Sequence, residues 1–510
     1  MWASALLGFS LLYGIELCSA SNILVISTVC SHSHSIWCNK LAELLVNRGH
    51  TVTILDTDPP RKKLANLTTY TLEGGYEFTD ELDYLELSED SSPKAAIDGL
   101  YYFFEVSCRN TFFSPTFKRF LAEHSNKKKP FDMIIHDIGC ECFLGLVPLL
   151  GNPKLVLVTA FGESQALYVM GSQGHMVHSP LQLTPFSFPM TFVEKLKNLY
   201  YTLYHYYGYH KYVNSLDVYS KELFGKSTPH VREIGKSAAV ALVNAHPLLD
   251  GAKYYSPAII PVPGFHIDEP KKLDEETQAF LDGAKHGVIY FSLGSNIQSS
   301  LMSDDRINLF LNVFKKLKQR VLWKFEDTNL KRLPENVRIS KWLSQNDILA
   351  HPNTKLFITH SGLLSTQEAI NHGIPMVSMP FLLDQHFLAK KLARHGILVQ
   401  LSYPKLTEHS IQQAIEEVLT NTSYTTEIKR WSKIFKDRPT KPKELAAFWI
   451  ENVLRNDDST YLQPPEAYTS TFELFFFDLK TILGIIFGII ITFIASSCSY
   501  KIQQKKIKIH

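Results

Sequence analysis

The stretch from Phe357 to Gln385 limits the possible fold of this chain more than any other. It reads FITHSGLLSTQEAINHGIPMVSMPFLLDQ, which predicts a short apolar strand, a tight turn, a helix that ends at Gly373, and a second buried strand. This order is typical of a β–α–β unit in a parallel sheet. Ligands of open α/β sheets bind beyond the carboxyl ends of the strands, so we expect His360 and Asp384 to face a ligand.

The polar residues of this stretch suit the parts of a nucleotide-sugar. The helix that follows His360 and Gly362 presents free backbone N–H groups and the positive end of its dipole, which favour a diphosphate. Glu368 lies two helical turns further along the same face, where a carboxylate can accept hydrogen bonds from two ribose hydroxyls. Asp384 and Gln385 offer the acceptors and donors that a sugar needs. For any single residue the alternative is a helix cap or a solvent contact, whereas the ordered set favours binding.

The ordered set resembles the signature of the UDP-glycosyltransferases, the family that includes the animal UDP-glucuronosyltransferases and UDP-glucosyltransferases. The sequence departs from many vertebrate members at Ser361, where they have glycine, and at Leu364, where they have an asparagine near the phosphates. The Leu-Leu-Ser form is similar to that of the invertebrate branch. The resemblance therefore implies a UDP-sugar donor, with glucose favoured over glucuronic acid as the transferred sugar.

The composition predicts a globular chain of two or three folded units. Of the 510 residues, 45% are hydrophobic and 20% are charged, which is enough apolar sequence to form cores. The formal net charge is +2, and the sequence has no basic stripe with interleaved aromatic residues. A nucleic-acid-binding function is therefore not expected.

The two hydrophobic ends predict a chain that enters the secretory pathway and is anchored in a membrane. Residues 1–20 form an apolar run that ends in small residues, which is typical of a cleaved signal peptide; an uncleaved anchor is the alternative. Residues 481–498 carry no charge and would span about 27 Å as a helix, which suits the thin bilayer of the endoplasmic reticulum. The lysines of the tail 499–510 place that tail in the cytosol, and the last two resemble a dilysine retrieval signal. We therefore expect a single-pass type I protein of the endoplasmic reticulum membrane with luminal domains.

A luminal location makes the cysteines and the glycosylation sequons relevant. Five cysteines remain once the signal peptide and the end of the span are set aside, namely Cys30, Cys38, Cys108, Cys140 and Cys142. An odd number cannot all pair within one chain, and we interpret Cys140 and Cys142 as small buried residues. Sequons begin at Asn66 and Asn421, which predicts two glycosylated surface positions.

The first half also begins as a β–α–β unit, but its first turn reads VCSHSHS. This turn is not a glycine-rich phosphate loop, which argues against a nicotinamide cofactor. His32 and His34 in the turn are candidates for a general base; polar surface is the alternative. The family places its catalytic histidine before an apolar helix that ends in Arg-Gly-His, here residues 48–50, and this favours His34. The resemblance also implies that Asp137 stabilises the histidine cation, whereas Asp132, at the other end of the same strand, is structural.

The second half carries further candidates for donor binding. Ser295 follows a glycine after a buried strand, where backbone N–H groups and a hydroxyl can contact phosphate. Trp342 can stack on uracil and Gln345 can pair with its edge, although Trp342 as plain core is the alternative. Lys324 stands where many relatives have an arginine near the nucleotide, so it keeps the charge but not the planar fork.

One block of the first half has no clear periodicity. Residues 162–225 are rich in tyrosine, and the resemblance places them in the acceptor-binding half, near the membrane. A packed amphipathic helix and a wall of the acceptor pocket are both consistent with this composition. The sequence leaves these two alternatives open.

We therefore predict an α/β fold of the GT-B type, with two Rossmann-like domains facing each other across a cleft and one C-terminal transmembrane helix. The predicted segments are a signal peptide (1–20), an N-terminal acceptor-binding domain (21–255), a linker (256–285), a C-terminal UDP-sugar-binding domain (286–435), a helix that returns to the first domain (436–456), the transmembrane helix (481–498) and the cytosolic tail (499–510).

The predicted function is the inverting transfer of a sugar from a UDP-sugar to a hydroxyl of a small lipophilic acceptor, as in conjugation and detoxification. Glucose is the favoured sugar and glucuronic acid the alternative. Apart from the UDP-sugar no cofactor is expected, and the lack of an Asp-x-Asp motif near the site predicts independence from metals. The expected partners are the UDP-sugar, the acceptor and the membrane, and a homo-oligomer is left open. A non-catalytic carrier or chaperone with the same fold is the alternative of another class.

Overall fold

Two parallel β-sheets form the frame of the computed structural model, which describes residues 20–60, 62–80, 92–162, 170, 177–330, 333–458, 460–464 and 483–497. The strands of the first half are β1 (Asn22–Ser27), β2 (Thr51–Asp56), β3 (Leu67–Thr71), β4 (Met133–Asp137), β5 (Lys154–Thr159), β6 (Val240–Val243) and β7 (Ile259–Pro261). The strands of the second half are β8 (Val288–Ser292), β9 (Arg320–Lys324), β10 (Val337–Ser340), β11 (Thr354–Thr359), β12 (Met376–Ser378) and β13 (Leu398–Gln400).

Helices connect most of these strands. The helices of the first half are α1 (His32–Asn47), α2 (Glu77–Asp80), α3 (Pro93–Phe112), α4 (Pro115–His124), α5 (Leu146–Leu149), α6 (Phe192–Phe224), α7 (Val231–Lys236) and α8 (Pro247–Asp250). Those that follow are α9 (Glu275–Asp282), α10 (Asp304–Phe314), α11 (Gln345–Ala350), α12 (Leu363–His372), α13 (Gln385–Arg394), α14 (Glu408–Thr420), α15 (Thr422–Lys436) and α16 (Pro442–Arg455). Short 3-10 helices occur at Glu141–Gly145, Ser299–Leu301, Tyr403–Lys405 and Thr460–Leu462.

The strand order of each sheet creates one crevice. Within the described residues the first sheet runs β3–β2–β1–β4–β5–β6–β7 and the second runs β10–β9–β8–β11–β12–β13, with all pairs parallel. The order reverses direction between β1 and β4 in the first sheet and between β8 and β11 in the second. At such a reversal the connecting helices leave on opposite faces, which opens a site at the carboxyl ends of the two strands. The prediction of two Rossmann-like halves is confirmed.

The strands are apolar runs because helices cover both faces of each sheet. Ile23, Leu24, Val25 and Ile26 of β1 are all fully buried. The same holds for most of β8 and β11, whose side chains divide between two clusters on opposite faces of the second sheet. The two sheets are therefore rigid platforms whose strand ends can hold side chains in fixed positions.

Helix α16 follows the second half in sequence but packs on the first. Its apolar side chains Ala446, Ile450 and Val453 belong to the core of the first sheet. Arg48, at the end of α1, binds Glu451 through both carboxylate oxygens. These contacts join the two halves on the side remote from the strand ends.

The tyrosine-rich block contains α6, a long helix that packs on the first half. Its N-terminus has a complete capping box between Thr191 and Glu194. Tyr209 and Tyr212 are buried against the core, whereas Tyr200 and Tyr207 are exposed. The described residues of α6 do not line the cleft, whereas Leu183, Thr184 and Pro185 of the same block do. The packed-helix alternative therefore holds for α6, and the pocket-wall alternative holds for the loop before it.

The interpretation of Cys142 as merely a small buried residue is wrong. Cys142 forms a disulfide with Cys108, which lies on α3. The two residues are 34 positions apart and meet because α3 packs on the 3-10 helix that follows β4, a contact that the sequence spacing does not reveal. Among the described cysteines, Cys30, Cys38 and Cys140 are free and buried.

The predicted membrane and targeting segments lie largely beyond the described residues. This is the case for the signal peptide 1–20, apart from its last residue, for the tail 499–510, and for both ends of the predicted span 481–498. Residues 483–497 of that span are helical, and their large apolar side chains are exposed. In the part of the chain that the structure describes, no helix has the length and apolar character needed to cross a membrane.

Candidate active site

A cavity of about 960 Å³ lies between the carboxyl ends of the two sheets. Both halves contribute to its wall, as expected if each sheet uses the crevice at its reversal point. Nine of the ten residues predicted to act in catalysis or donor binding line this cavity, namely His34, Ser295, Trp342, Gln345, His360, Gly362, Glu368, Asp384 and Gln385. The tenth, Asp137, lies directly behind His34.

His34 and Asp137 form a buried pair at the crevice of the first sheet. His34 stands in the first turn of α1, which follows β1, and Asp137 is the last residue of β4. Nδ1 of His34 lies 2.7 Å from Oδ2 of Asp137. The side chains are only 2% and 0% exposed, and Phe161 packs edge-on against the imidazole with ring centroids 4.8 Å apart.

The geometry fixes the tautomer of His34. A carboxylate can only accept a hydrogen bond, so Nδ1 carries the proton and Nε2 holds a free lone pair. Burial raises the pKa of Asp137, and the neighbouring His34 opposes this rise. The other carboxylate oxygen has no hydrogen-bond partner among the described residues, so the charge of Asp137 is directed to His34. A base with a buried carboxylate behind it is suited to remove a proton from a group in the cavity.

His32, the competing histidine, lies outside this arrangement. Its Nδ1 is 2.9 Å from Asp58, and its ring stacks on Tyr76 with centroids 4.6 Å apart. Tyr76 also donates a hydrogen bond to Asp58 at 2.7 Å. In the described part of the chain His32 does not border the cavity, so these contacts give it a structural role.

The predicted phosphate end of the site lies at the crevice of the second sheet. Gly294 and Ser295 follow β8, and His360 and Gly362 follow β11. The imidazole of His360 fits between the two glycines, since an added Cβ would lie 2.5 Å from its ring at Gly294 and 2.4 Å at Gly362. Both positions therefore require glycine. Burial lowers the pKa of His360 to about 4, with a smaller contribution from Lys324, so this histidine is neutral and acts as a hydrogen-bond donor.

Helix α12 presents its N-terminus to the same place. Gly362 is its N-cap and makes no side-chain capping bond, so the first backbone N–H groups of the helix are available to an anion. Ser361 adopts a left-handed backbone conformation with φ of 62°. Its hydroxyl contacts that of Ser378 on β12 at 2.5 Å, which supports the strained turn.

The predicted ribose end of the site contains a buried carboxylate. Glu368 lines the cavity and accepts a hydrogen bond from the Gln345 amide at 2.5 Å. Gln345 also donates to Ser365 at 2.9 Å, so its amide is engaged within the protein rather than directed at a base. Burial raises the pKa of Glu368 to about 7, which the Gln345 hydrogen bond partly opposes. Trp342 is 56% exposed and borders the cavity, so it is not a core residue.

The predicted sugar end of the site lies where α13 begins. Asp384 is the N-cap of α13, and burial raises its pKa to about 7. Asp250 raises that pKa further, whereas His34 from the other half lowers it. Gln385 accepts hydrogen bonds from the backbone N–H groups of Phe381 and Leu382 at 2.8 and 3.1 Å, which leaves its NH₂ group for a ligand.

Sequence reasoning missed several residues of the cavity. Asn296 donates a hydrogen bond to Ser31, the N-cap of α1, at 2.8 Å, and so links the phosphate loop to the helix that carries His34. A second set forms an apolar wall on one face of α3 and at the end of β5, namely Ala95, Ala96, Gly99, Leu100, Phe103 and Phe161. The helical spacing of the α3 residues was present in the sequence, but nothing in it indicated which face would meet the cleft.

Lysine, aspartate and glutamate side chains from both halves line the cavity. Lys324 lines the cavity and forms an ion pair with Glu326 at 2.6 Å. The described residues contain no group of three or more His, Cys, Asp or Glu side chains that could hold a metal ion. Metal independence therefore stays a prediction.

The two predicted glycosylation positions are exposed. Asn66 directly precedes β3. Asn421 is the N-cap of α15, and its side-chain oxygen accepts a hydrogen bond from the Ser423 N–H at 3.1 Å. Exposure is necessary for glycosylation, and the modification itself stays a prediction.

Comparisons with known proteins agree with this geometry. The family model described as UDP-glucoronosyl and UDP-glucosyl transferase matches residues 21–509. The chain is similar to UDP-glucosyltransferase 2 of Dactylopius coccus, with 30% identity over 452 residues that cover 88% of this chain and 86% of that protein. It is also similar to UDP-glucuronosyltransferase 2B17 of Rattus norvegicus, with 29% identity over 490 residues that cover 91% and 90%.

The solved structures show the same fold. A UDP-glucosyltransferase from Polygonum tinctorium that glucosylates indoxyl has a TM-score of 0.58 and 17% identity, covering 86% of this chain and 99% of that one. Os79 from O. sativa, in complex with U2F and trichothecene, has a TM-score of 0.56 and 17% identity, covering 84% and 100%. The two sheets therefore have the GT-B arrangement.

Proposed function

Because the chain belongs to the UDP-glucuronosyl and UDP-glucosyl transferase family, and so transfers a sugar from a UDP-sugar to an acceptor, we propose that it is an inverting glucosyltransferase that acts on a hydroxyl of a small lipophilic acceptor. The buried His34–Asp137 pair carries this proposal. Its 2.7 Å hydrogen bond orients a base toward the cavity that the donor-binding residues of the other half also line.

The proposed reaction is a single displacement. The acceptor hydroxyl transfers its proton to Nε2 of His34, and its oxygen forms a bond to the anomeric carbon of the sugar from the face opposite UDP. The bond from that carbon to the diphosphate oxygen breaks, and its electron pair leaves with UDP. The N-terminus of α12, together with Ser295 and His360, stabilises the departing charge. Asp137 stabilises the imidazolium until water takes its proton.

Two observations support glucose rather than glucuronic acid as the transferred sugar. Leu364 offers no polar side-chain group in the first turn of α12. Asp384, at the predicted sugar end of the site, has Asp250 as a like-charged neighbour, and this pair of carboxyl groups disfavours an additional acid group on the sugar. A neutral hexose avoids this repulsion.

The donor can be identified with microsomes from cells that express the full chain, supplied with a panel of UDP-sugars and phenolic acceptors. We expect UDP-glucose to give the highest kcat/KM and a β-glucoside as the product. A preference for UDP-glucuronic acid would show that the transferred sugar is glucuronic acid rather than glucose. An α-linked product would refute the single displacement.

We also propose that the chain is a type I protein of the endoplasmic reticulum with both halves in the lumen. The uncharged run 481–498 and the lysines after it support this topology. Digestion with endoglycosidase H should lower the apparent mass by two glycans. Asn66→Gln and Asn421→Gln should each carry one glycan fewer. A chain without N-glycans, or one whose two halves are open to protease in intact microsomes, would contradict the topology.

A further inference from the structure

We propose that Arg394, in the UDP-sugar half, helps to determine acceptor specificity because it holds a loop of the first half that forms part of the acceptor wall. The loop comprises residues 181–187 and is called the wall loop below. The proposal rests on the proposed transfer to an acceptor bound beside His34.

The wall loop faces the place where an acceptor must lie. Leu183, Thr184 and Pro185 line the cavity, as do Phe103 and Phe161. Phe161 packs against the ring of His34, so a hydroxyl that reaches His34 belongs to a molecule that passes these apolar side chains. The position of the wall loop therefore sets the width of the space beside the base.

Hydrogen bonds within the first half hold one end of the wall loop. The backbone N–H of Leu181 donates to Asn198 on α6 at 2.8 Å. The Gln182 amide donates to Asp250 at 2.5 Å. Thr184 closes a turn by donating its hydroxyl to the carbonyl oxygen of Leu181 at 2.6 Å.

The other half of the molecule holds the far end. Nη1 of Arg394 donates to the carbonyl oxygen of Ser187 at 3.1 Å and also to the Ser187 hydroxyl. Ser187 is only 2% exposed, so this loop end is enclosed although the arginine itself lies at the surface. Both bonds come from one nitrogen of the planar guanidinium, whose N–H groups point in fixed directions, whereas the ammonium group of a lysine sits on a more flexible stem and rotates.

Charge complementarity strengthens the same contact. Glu194, in the first turn of α6, lies close to the wall loop in sequence and faces α13. The backbone N–H of Thr191 is the main cause of its lowered pKa, and Lys390 and Arg394 of α13 contribute to it. Cations from the second half therefore meet an anion from the first half beside the wall loop.

One helix thus connects the sugar site to the acceptor wall. α13 has Asp384 as its N-cap and begins with Gln385, and Arg394 stands in its last turn. A rigid helix transmits its position along its length, so the sugar-binding end and the wall loop keep a fixed spacing. Loss of the Arg394 contact would leave sugar binding intact and release the wall.

The test uses the full-length chain in microsomes, with saturating UDP-glucose and the acceptors phenol, naphthol and umbelliferone. In Arg394→Gln we expect KM for the two larger acceptors to rise about three- to tenfold, which corresponds to the loss of a hydrogen bond to a charged group at a partly exposed site. KM for UDP-glucose and for phenol should not change. Arg394→Lys should give an intermediate rise, since the charge remains but the fixed N–H geometry of the planar guanidinium is lost.

Arg430→Gln is the matched control. Arg430 is an arginine of the second half whose guanidinium binds Glu427 of its own helix, and its replacement should leave all three acceptors unaffected. An unchanged KM for the larger acceptors in Arg394→Gln would overturn the proposal, as would an equal rise for UDP-glucose together with a lower Tm. If the wild-type chain used another sugar donor or gave an α-linked product, the proposed function would be refuted instead. The Arg394 variants would then be compared with the wild type using the donor that the wild type prefers.

Discussion

The two halves of the cleft differ in how their functional residues come together. In the second half, His360, Glu368, Asp384 and Gln385 all derive from one stretch of sequence. In the first half, His34 and Asp137 are 103 positions apart and meet only because β1 and β4 are neighbours in the sheet. The same geometric device serves both, since each site lies where the strand order of its sheet reverses. The predicted donor site can therefore be recognised from one stretch of sequence, whereas the predicted catalytic pair depends on the fold.

The sharpest way to test this difference is to compare Asp137, the last residue of β4, with Asp132, which directly precedes that strand. Asp137→Asn should lower kcat by roughly 10²- to 10⁴-fold, the range expected when a general base loses its orientation and charge partner, because an amide can donate to Nδ1 and reverse the tautomer of His34. Asp132→Asn is the control, since the Asp132 side chain accepts a hydrogen bond from the Asn22 N–H at 2.8 Å and is not among the residues that line the cavity. Equal losses in the two variants would show that Asp137 acts through the fold rather than through His34.

The first half should depend on its disulfide, because its site is built from distant segments. Cys108–Cys142 joins α3, which carries the acceptor wall, to the segment that follows Asp137. For a loop of this size the bond contributes about 3–4 kcal/mol to the free energy of unfolding. Cys108→Ala with Cys142→Ala should lose this amount in denaturant unfolding, whereas Cys38→Ala, which removes a free cysteine, should lose much less. A free thiol at Cys142 in the native protein, found by mass spectrometry, would contradict the pairing.

The second half should reveal its buried carboxylate through the pH dependence of stability. The pKa of Glu368 in the folded state is about 7, above its ordinary value of 4.5. As the pH rises, the unfolded chain therefore loses this proton first, and stability falls between about pH 4.5 and 7. In Glu368→Gln the decrease in the free energy of unfolding from pH 5 to pH 8 should be smaller by about 2 kcal/mol, as measured by urea unfolding at the two pH values.

Glu416→Gln is the control for that experiment, because Glu416 lies on the surface of α14 and accepts from Gln412 at 2.8 Å. Its pH profile should match the wild type. If Glu368→Gln did so too, Glu368 would be solvated rather than buried.

The smallest expected effect concerns the base end of the donor site. Trp342 is 56% exposed at the cavity, where an indole face can stack on uracil. Trp342→Ala should weaken UDP binding about tenfold, the usual contribution of one stacked base, as measured by calorimetry. Tyr254→Ala is the control, since Tyr254 is 92% exposed and does not line the cavity. If the two variants bound UDP with equal affinity, Trp342 would not contribute to UDP binding.

Much of the second half could be predicted from sequence for physical reasons. A β–α–β unit places its polar residues at one sheet edge whatever the rest of the fold does, so the positions of His360, Glu368 and Asp384 follow from the strand and helix periods. Contacts between distant segments could not be predicted in this way. The Gln345 amide donates to Glu368 and Ser365, and Cys142 forms a disulfide with Cys108 because of helix packing. The acceptor wall was missed for the same reason, because which face of α3 meets the cleft is decided by packing.

The division of roles between the halves can be tested most directly by measuring UDP affinity and the single-turnover rate in the same preparations of His34→Ala and Glu368→Ala. In His34→Ala we expect unchanged UDP affinity and a transfer rate lower by about 10²-fold or more. In Glu368→Ala we expect weaker UDP binding and a nearly normal rate once the donor is saturating. If each variant lost affinity and rate together, donor capture and acceptor activation would not be separate properties of the two halves.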